Sequence, residues 1–107
     1  MWVFTETGFV SAVAHRDNPE ILIVRSRDRH SIEPLALLGE TNIVTGAGTD
    51  YPHRISCSRD QFTQWVDQNI VSMSYENFKS RVTQTRGHDF AHALMDVWSA
   101  MRKVEDI

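Results

Sequence analysis

The sequence predicts an α+β domain, a small antiparallel sheet of three to four strands with three to four helices packed on it. Three observations lead there. Ile21-Leu22-Ile23-Val24 is an aliphatic run with three β-branched members. A strand apolar on both faces belongs inside a sheet, covered above and below or on one face and at an interface. Ser58-Arg59-Asp60-Gln61 has the hydroxyl-to-amide spacing of a capping box, and a 3.6-residue apolar period follows it. Finally, the strand-like stretches come first, with one helix between them, and helical patterns run to the end. The 107 residues suit one domain, 1–107, and their 41% hydrophobic and 23% charged content is that of a folded chain.

Taken in order, Trp2-Val3-Phe4 and Gly8–His15 both read as strands. The Glu6-Thr7-Gly8 link between them is either a tight turn or a bulge within one bent strand. Arg16-Asp17-Asn18-Pro19-Glu20 is a polar turn with Asn-Pro punctuation, so Phe9–His15 and Ile21–Ser26 should form an antiparallel hairpin. A helix follows over about 28–38, its stripe made by Ile32, Leu35, Ala36 and Leu38. Asp28 or Ser31 can cap it. Pro34 is harmless only in a first turn, which favours Ser31 as the cap and Gly39 as the close.

Residues 41–50, with Gly46-Ala47-Gly48, read as a loop. Pro52–Cys57 is a second, shorter strand, Pro52 suiting its entrance or an edge. The helix opened by the capping box carries Phe62, Trp65, Val66, Ile70 and Met73 on one face. Tyr75, Phe78 and Val82 mark a further helix ending near Gly87, and Phe90, Leu94, Val97, Trp98 and Met101 mark the last. A rearranged ferredoxin-like layer is one topology consistent with this order.

Several patches together have a familiar order. They are Trp2-Val3-Phe4 with Gly8–Val13, Ile23–Arg27, Asp50-Tyr51-Pro52-His53-Arg54, Tyr75-Glu76-Asn77-Phe78-Lys79, and Val97-Trp98-Ser99-Ala100-Met101. In that order the chain resembles a family of small bacterial and phage proteins of unknown function. The resemblance spans nearly the whole chain and implies a single domain and a purposeful Asn77-Phe78-Lys79 patch. It implies no activity, cofactor or catalytic residue.

Net charge is −3, so nucleic acid is not supported by the overall charge, and any polyanion site must be a local patch. The single cysteine, Cys57, forbids an internal disulfide and a cysteine-based zinc site. The first residues lack the basic and apolar regions of a signal peptide, and no stretch approaches the ~20 apolar residues of a membrane helix. These features suit a cytoplasmic protein.

One candidate site is basic. Arg25 and Arg27 leave the central strand, Arg29 and His30 enter the next helix, and Arg54 lies on a strand expected alongside. Cations at a helix N-terminus oppose its dipole, whereas a bound anion there would make them favourable. The competing reading is neutralisation by Asp28, Glu33, Glu20 and Asp60 in surface ion pairs. A second candidate is His88, His92 and Asp96, one helix face at i, i+4 and i+8 with ligand types for zinc or another divalent ion. Asp89 stands where a zincin helix has glutamate, and a third ligand downstream is missing from the pattern. A plain solvated face, capped by His88 and Asp89, explains these residues equally.

Cys57, before a helix N-terminus with His53 on the same strand face, could be an activated thiol or a small buried apolar residue. Trp65 and Trp98 fall on apolar stripes and should be core. Trp2, at the chain end, suits a contact with a second subunit or partner, as do Tyr75, Asn77, Phe78 and Lys79. No catalytic residue is identified. The expectation is a non-catalytic binding or regulatory module, homodimeric, recognising an unknown protein or an acidic or phosphate-bearing group. The alternative is a metal-dependent hydrolase built on His88, His92 and Asp96.

Overall fold

The protein is described from a computed structural model covering residues 1–46 and 50–107. Its contacts divide it into two compact units, Met1–Met73 and Ser74–Ile107. Among the described residues the first unit holds one antiparallel sheet of five strands: β1 (Trp2–Thr5), β2 (Gly8–Ala14), β3 (Ile21–Ser26), β4 (Val44–Thr45) and β5 (His53–Ser58), in the order β1-β2-β3-β5-β4. Two helices, α1 (Arg29–Leu38) and α2 (Arg59–Val71), complete it.

The link between β1 and β2 is a tight turn. Thr5 pairs with Gly8, leaving Glu6 and Thr7 to reverse the chain, and the Thr7 N–H donates to Thr5 Oγ1 at 3.3 Å. The next reversal also follows from its polar residues. The N–H groups of Asp17 and Asn18 donate to His15 Nδ1, each at 3.1 Å, and that of Glu20 to Asn18 Oδ1 at 3.0 Å. These local bonds satisfy backbone donors that no strand can reach, and so set the β2–β3 register.

The fifth strand is the addition to the expected three to four. Val44 and Thr45 lie within the stretch read as loop, yet pair with Arg54 and His53 of β5. Two residues make too short a run for alternation to reveal. Since α1 joins β3 to β4 while β5 lies between them, β3 and β4 run in the same direction as a split β-α-β unit. The inner order β2-β3-β5-β4 is that of a ferredoxin-like layer whose closing strand has moved to the front of the chain.

Alternation points Val10, Ala12, Leu22, Val24, Ile55 and Cys57 toward the helices. There they meet Ile32, Leu35 and Ala36 of α1 and Phe62 and Trp65 of α2. Val24, at the centre of the middle strand, is fully buried, but Ile21 and Ile23 on the opposite face are only half-buried. The aliphatic run is therefore helix-covered on one face within its unit, not on both.

The helix ends correct two expectations. Asp28, not Ser31, caps α1, accepting the Ser31 N–H on Oδ1 at 3.3 Å. Ser31 is buried and its hydroxyl instead accepts the Phe9 N–H at 3.1 Å, tying α1 to β2. Pro34 thus sits inside the helix. At the C-terminus Gly39 is right-handed, and the left-handed residue is Glu40, φ 50°. Thr41 N–H to Ala36 O at 3.0 Å and Glu40 N–H to Leu37 O at 3.3 Å form the paired bonds of a Schellman close. At α2 the capping box is present, with Gln61 N–H to Ser58 Oγ at 3.1 Å and Ser58 N–H to Gln61 Oε1 at 2.9 Å. The apolar stripe that begins with Phe62 and Trp65 loses cover further along, and Ile70 and Met73 are exposed.

The second unit contains α3 (Phe78–Arg86), α4 (His88–Met101) and a short 3₁₀ turn, Arg102–Asp106. Asn77 caps α3 through Oδ1, which accepts the Ser80 N–H at 2.9 Å. Gly87, φ 89° and ψ 173°, ends α3 and starts α4 in a conformation essentially reserved for glycine. It, and not His88 or Asp89, holds the capping position, with no side-chain cap bond. Val82 and Ala91 are buried, whereas Trp98 is 58% exposed and not a core residue. Within its unit α4 has α3 as its main helical neighbour, which leaves part of its apolar stripe uncovered.

Candidate functional site

The sheet face turned away from α1 and α2 gathers the side chains of interest. Register fixes one row across four strands: Trp2 opposite Ser11, Ser11 opposite Arg25, and Arg25 opposite Arg54. An adjacent row pairs Phe4 with Phe9. One end of this face is therefore aromatic and the other cationic.

At the aromatic end, Phe4 and Phe9 stack with ring centroids 4.5 Å apart and an interplanar angle of 19°. Trp2 meets Phe9 edge-on at 5.7 Å and 82°, and remains 68% exposed. The indole is thus oriented by a neighbour without being covered by it.

At the cationic end, Tyr51 is the organising residue. It is 6% exposed, and the guanidinium carbons of Arg25 and Arg27 lie 4.7 Å and 4.3 Å from its ring centroid. Arg25 also donates through Nη2 to Ser11 Oγ at 2.8 Å, while its Nε is buried with no hydrogen-bond partner. Arg27 forks onto the Asp50 carboxylate, with both contacts at 3.3 Å, and donates to the Asp50 carbonyl at 2.8 Å. Both guanidiniums are thus within cation–π range of one ring. Arg25, Arg27 and Arg54 with the Asp50 carboxylate leave a local excess of positive charge on a chain of net charge −3.

Of the five residues expected to bind an anion, these three are brought together and two are not. Arg29 and His30 belong to α1, on the covered side, where Arg29 Nε pairs with Glu33 Oε1 at 3.1 Å. The mouth of α1 already carries the Asp28 carboxylate as its cap, so the junction itself is not the convergence point. Tyr51, Ser11 and Asp50 escaped the sequence reading. Alternation from the β2–β3 hairpin would place Ser11 beside Arg25, but nothing local marks Tyr51 as a ring beneath two arginines.

The remaining candidates lie elsewhere. His88, His92 and Asp96 are exposed along α4 at the expected helical spacing. Among the described residues, no group of three or more His, Cys, Asp or Glu side chains is gathered so as to hold a metal ion. Asn77 is engaged as the α3 cap, Tyr75 and Phe78 contact each other at 5.7 Å, and Lys79 is exposed. Tyr75, Asn77 and Arg81 help line a shallow hollow of about 320 Å³. Cys57 is 3% exposed, and burial pushes its thiol pKa up, the opposite of activation. His53 Nδ1 bonds Thr45 Oγ1 at 3.0 Å. Among the described residues no helix is long and apolar enough to cross a membrane.

Comparison with known proteins gives no match, whether to family models, to curated sequences or to solved structures.

Proposed function

We propose that the chain is a non-catalytic binding module that recognises an acidic or phosphate-bearing group through Arg25, Arg27 and Arg54. The observation that carries this reading is the packing of the Arg25 and Arg27 guanidiniums over Tyr51, with Arg54 opposite Arg25 across the β3–β5 ladder, on the sheet face turned away from α1 and α2. Arginines directly opposed across strands repel each other. A bidentate anion between them would turn that repulsion into charge-assisted hydrogen bonding.

The test is an NMR titration with inorganic pyrophosphate, following the arginine Nε–H signals and the amides of Tyr51 and Arg54. Saturable shifts centred there, reduced in Arg25→Gln, are expected. Signals that stay fixed at tens of millimolar anion would remove the basis for the reading.

Self-association is a second reading, favoured by the exposure of Val97, Trp98 and Met101 along α4. A second copy of the chain is the occupant proposed for that stripe. Light scattering should give a dimer mass that Trp98→Ser lowers to a monomer; a monomeric wild-type chain at high micromolar concentration ends this reading.

A further inference from the structure

We infer that the outer edge of β1 docks a second copy of this chain, the two β1 strands pairing antiparallel about Val3. This surface is separate from the α4 stripe and from the arginine cluster, and the inference rests on neither.

Hydrogen-bond parity decides which way the β1 backbone points. Met1 N donates to Ala12 O at 2.7 Å, and the Ala12 N–H donates to Met1 O at 2.8 Å, so these residues form a hydrogen-bonded pair. In an antiparallel ladder such pairs alternate with non-bonded ones. Val3 and Thr5 therefore bond inward to Val10 and Gly8, while Trp2 and Phe4 take the non-bonded positions opposite Ser11 and Phe9. Two contacts on β2 keep the same parity. The His15 N–H reaches Ile21 O at 2.9 Å, and the Phe9 N–H, beyond the last β2–β3 pair, goes to Ser31 Oγ at 3.1 Å. The N–H and C=O groups of Trp2 and Phe4 thus point away from the sheet. β1 is a terminal strand, and among the described residues nothing bonds these groups.

Free edges are commonly blunted by charge, proline, a bulge or shortness. The opposite edge, β4, is two residues long, whereas β1 is Trp2-Val3-Phe4-Thr5, uncharged and without proline. Its outward donors and acceptors repeat as those of an extended strand do, and the segment is complementary to itself. Pairing about Val3 sets Trp2 opposite Phe4 of the second copy, and Phe4 opposite its Trp2. Outward groups then meet outward groups in two pairs, each exchanging both N–H···O bonds. Registers centred on Trp2 or Phe4 form a single such pair within the strand. The side chains agree with the backbone. Trp2, 68% exposed beside the edge-on Phe9 ring, gains a Phe4 ring as its cross-strand neighbour. Val3, packed against the core, meets its own counterpart. An unrelated peptide would use the backbone bonds without an aromatic opposite Phe4, whereas a second copy supplies one twice by symmetry. The contact is well below the ~1,200 Å² of a standard interface, so association is weak and grows with concentration.

The experiment follows amide exchange of the wild-type chain by NMR from about 10 μM to about 1 mM, the span over which a weak contact fills. The Trp2 and Phe4 amides should slow by about tenfold or more at the upper end, while those of Val3 and Thr5, bonded within the hairpin, hold steady. A sample mixing labelled and unlabelled chain should show an intermolecular Hα–Hα contact between the two Val3 residues, because non-bonded pairs bring Cα atoms to about 4.5 Å. Trp2→Pro removes an outward donor that the hairpin does not use, together with the indole, and should weaken association by about tenfold or more. Trp98→Ser should leave the Trp2 and Phe4 protection unchanged, which separates this edge from α4. Trp2 and Phe4 amides that exchange alike across the concentration range would overturn the inference. So would Phe4 protection undiminished in Trp2→Pro, or an association abolished by Trp98→Ser.

Discussion

Arg25 and Arg54 face each other directly across the β3–β5 ladder, like charges at a position where neighbouring strands usually place opposite or neutral partners. Tyr51 lies under Arg25 and Arg27, and Ser11 accepts from Arg25, so the arrangement is built into the packing. Ligand binding should therefore register as stability. The melting temperature is expected to climb with the logarithm of pyrophosphate concentration once the site fills. Arg25→Gln should blunt that climb, and calorimetric scans over a concentration series measure it.

Tyr51 ties the cluster to the fold. Removing a ring that is 6% exposed and covered by two guanidiniums should cost about 3 kcal/mol. Urea unfolding of Tyr51→Ala checks the figure, and a loss below about 1 kcal/mol would show the ring to be a minor surface contact.

Two leucines of α1 make an internal control. Leu35 is fully buried, whereas Leu37 is 79% exposed. Leu35→Ala should destabilise by about 2–5 kcal/mol and Leu37→Ala by no more than about 0.5. Comparable losses from the two in equilibrium unfolding would contradict the helix orientation described.

Backbone conformation predicts opposite signs at two positions. Glu40 is left-handed at φ 50°, so Glu40→Gly should be neutral to stabilising by up to about 1 kcal/mol. Gly87 has φ 89°, and a Cβ there would meet nothing within 4 Å, so the penalty of Gly87→Ala is conformational alone. It should cost about 1–3 kcal/mol and loosen the α3–α4 junction, which amide exchange would detect.

Cys57 sets a pH dependence whose sign follows from burial. Its folded-state pKa is raised, so above the unfolded value the folded chain keeps a proton that the unfolded chain has released. Stability contributed by this group is constant below about pH 8.5 and declines as pH rises toward the folded pKa, by at most about 1.4 kcal/mol per pH unit. Cys57→Ala should show a shallower decline than wild type above that pH. In the native state the thiol should react slowly with a disulfide reagent, and rapid labelling would contradict its burial.

What the residues determine by themselves is local and periodic. The capping box at Ser58, the polar reversal after His15 and the strand at Ile21–Ser26 depend on groups a few residues apart, so they could be read in order. So could the α+β class, which needs only the succession of periods. The chemistry at Asp28 and Ser31 was local too, but both residues suit a cap, and the competition was resolved by the distant Phe9 N–H that Ser31 serves. Tertiary structure alone decided the rest. Val44 and Thr45 become a strand because β5 offers them partners, and Trp98 is exposed because cover depends on neighbours that its own period cannot specify. Tyr51 lies beneath arginines more than twenty residues earlier through the way β3 and β5 are laid side by side. Hydrogen-bonded turns and caps are encoded within a few residues, whereas a surface site is a coincidence of faces, and faces exist only once strands have chosen their neighbours.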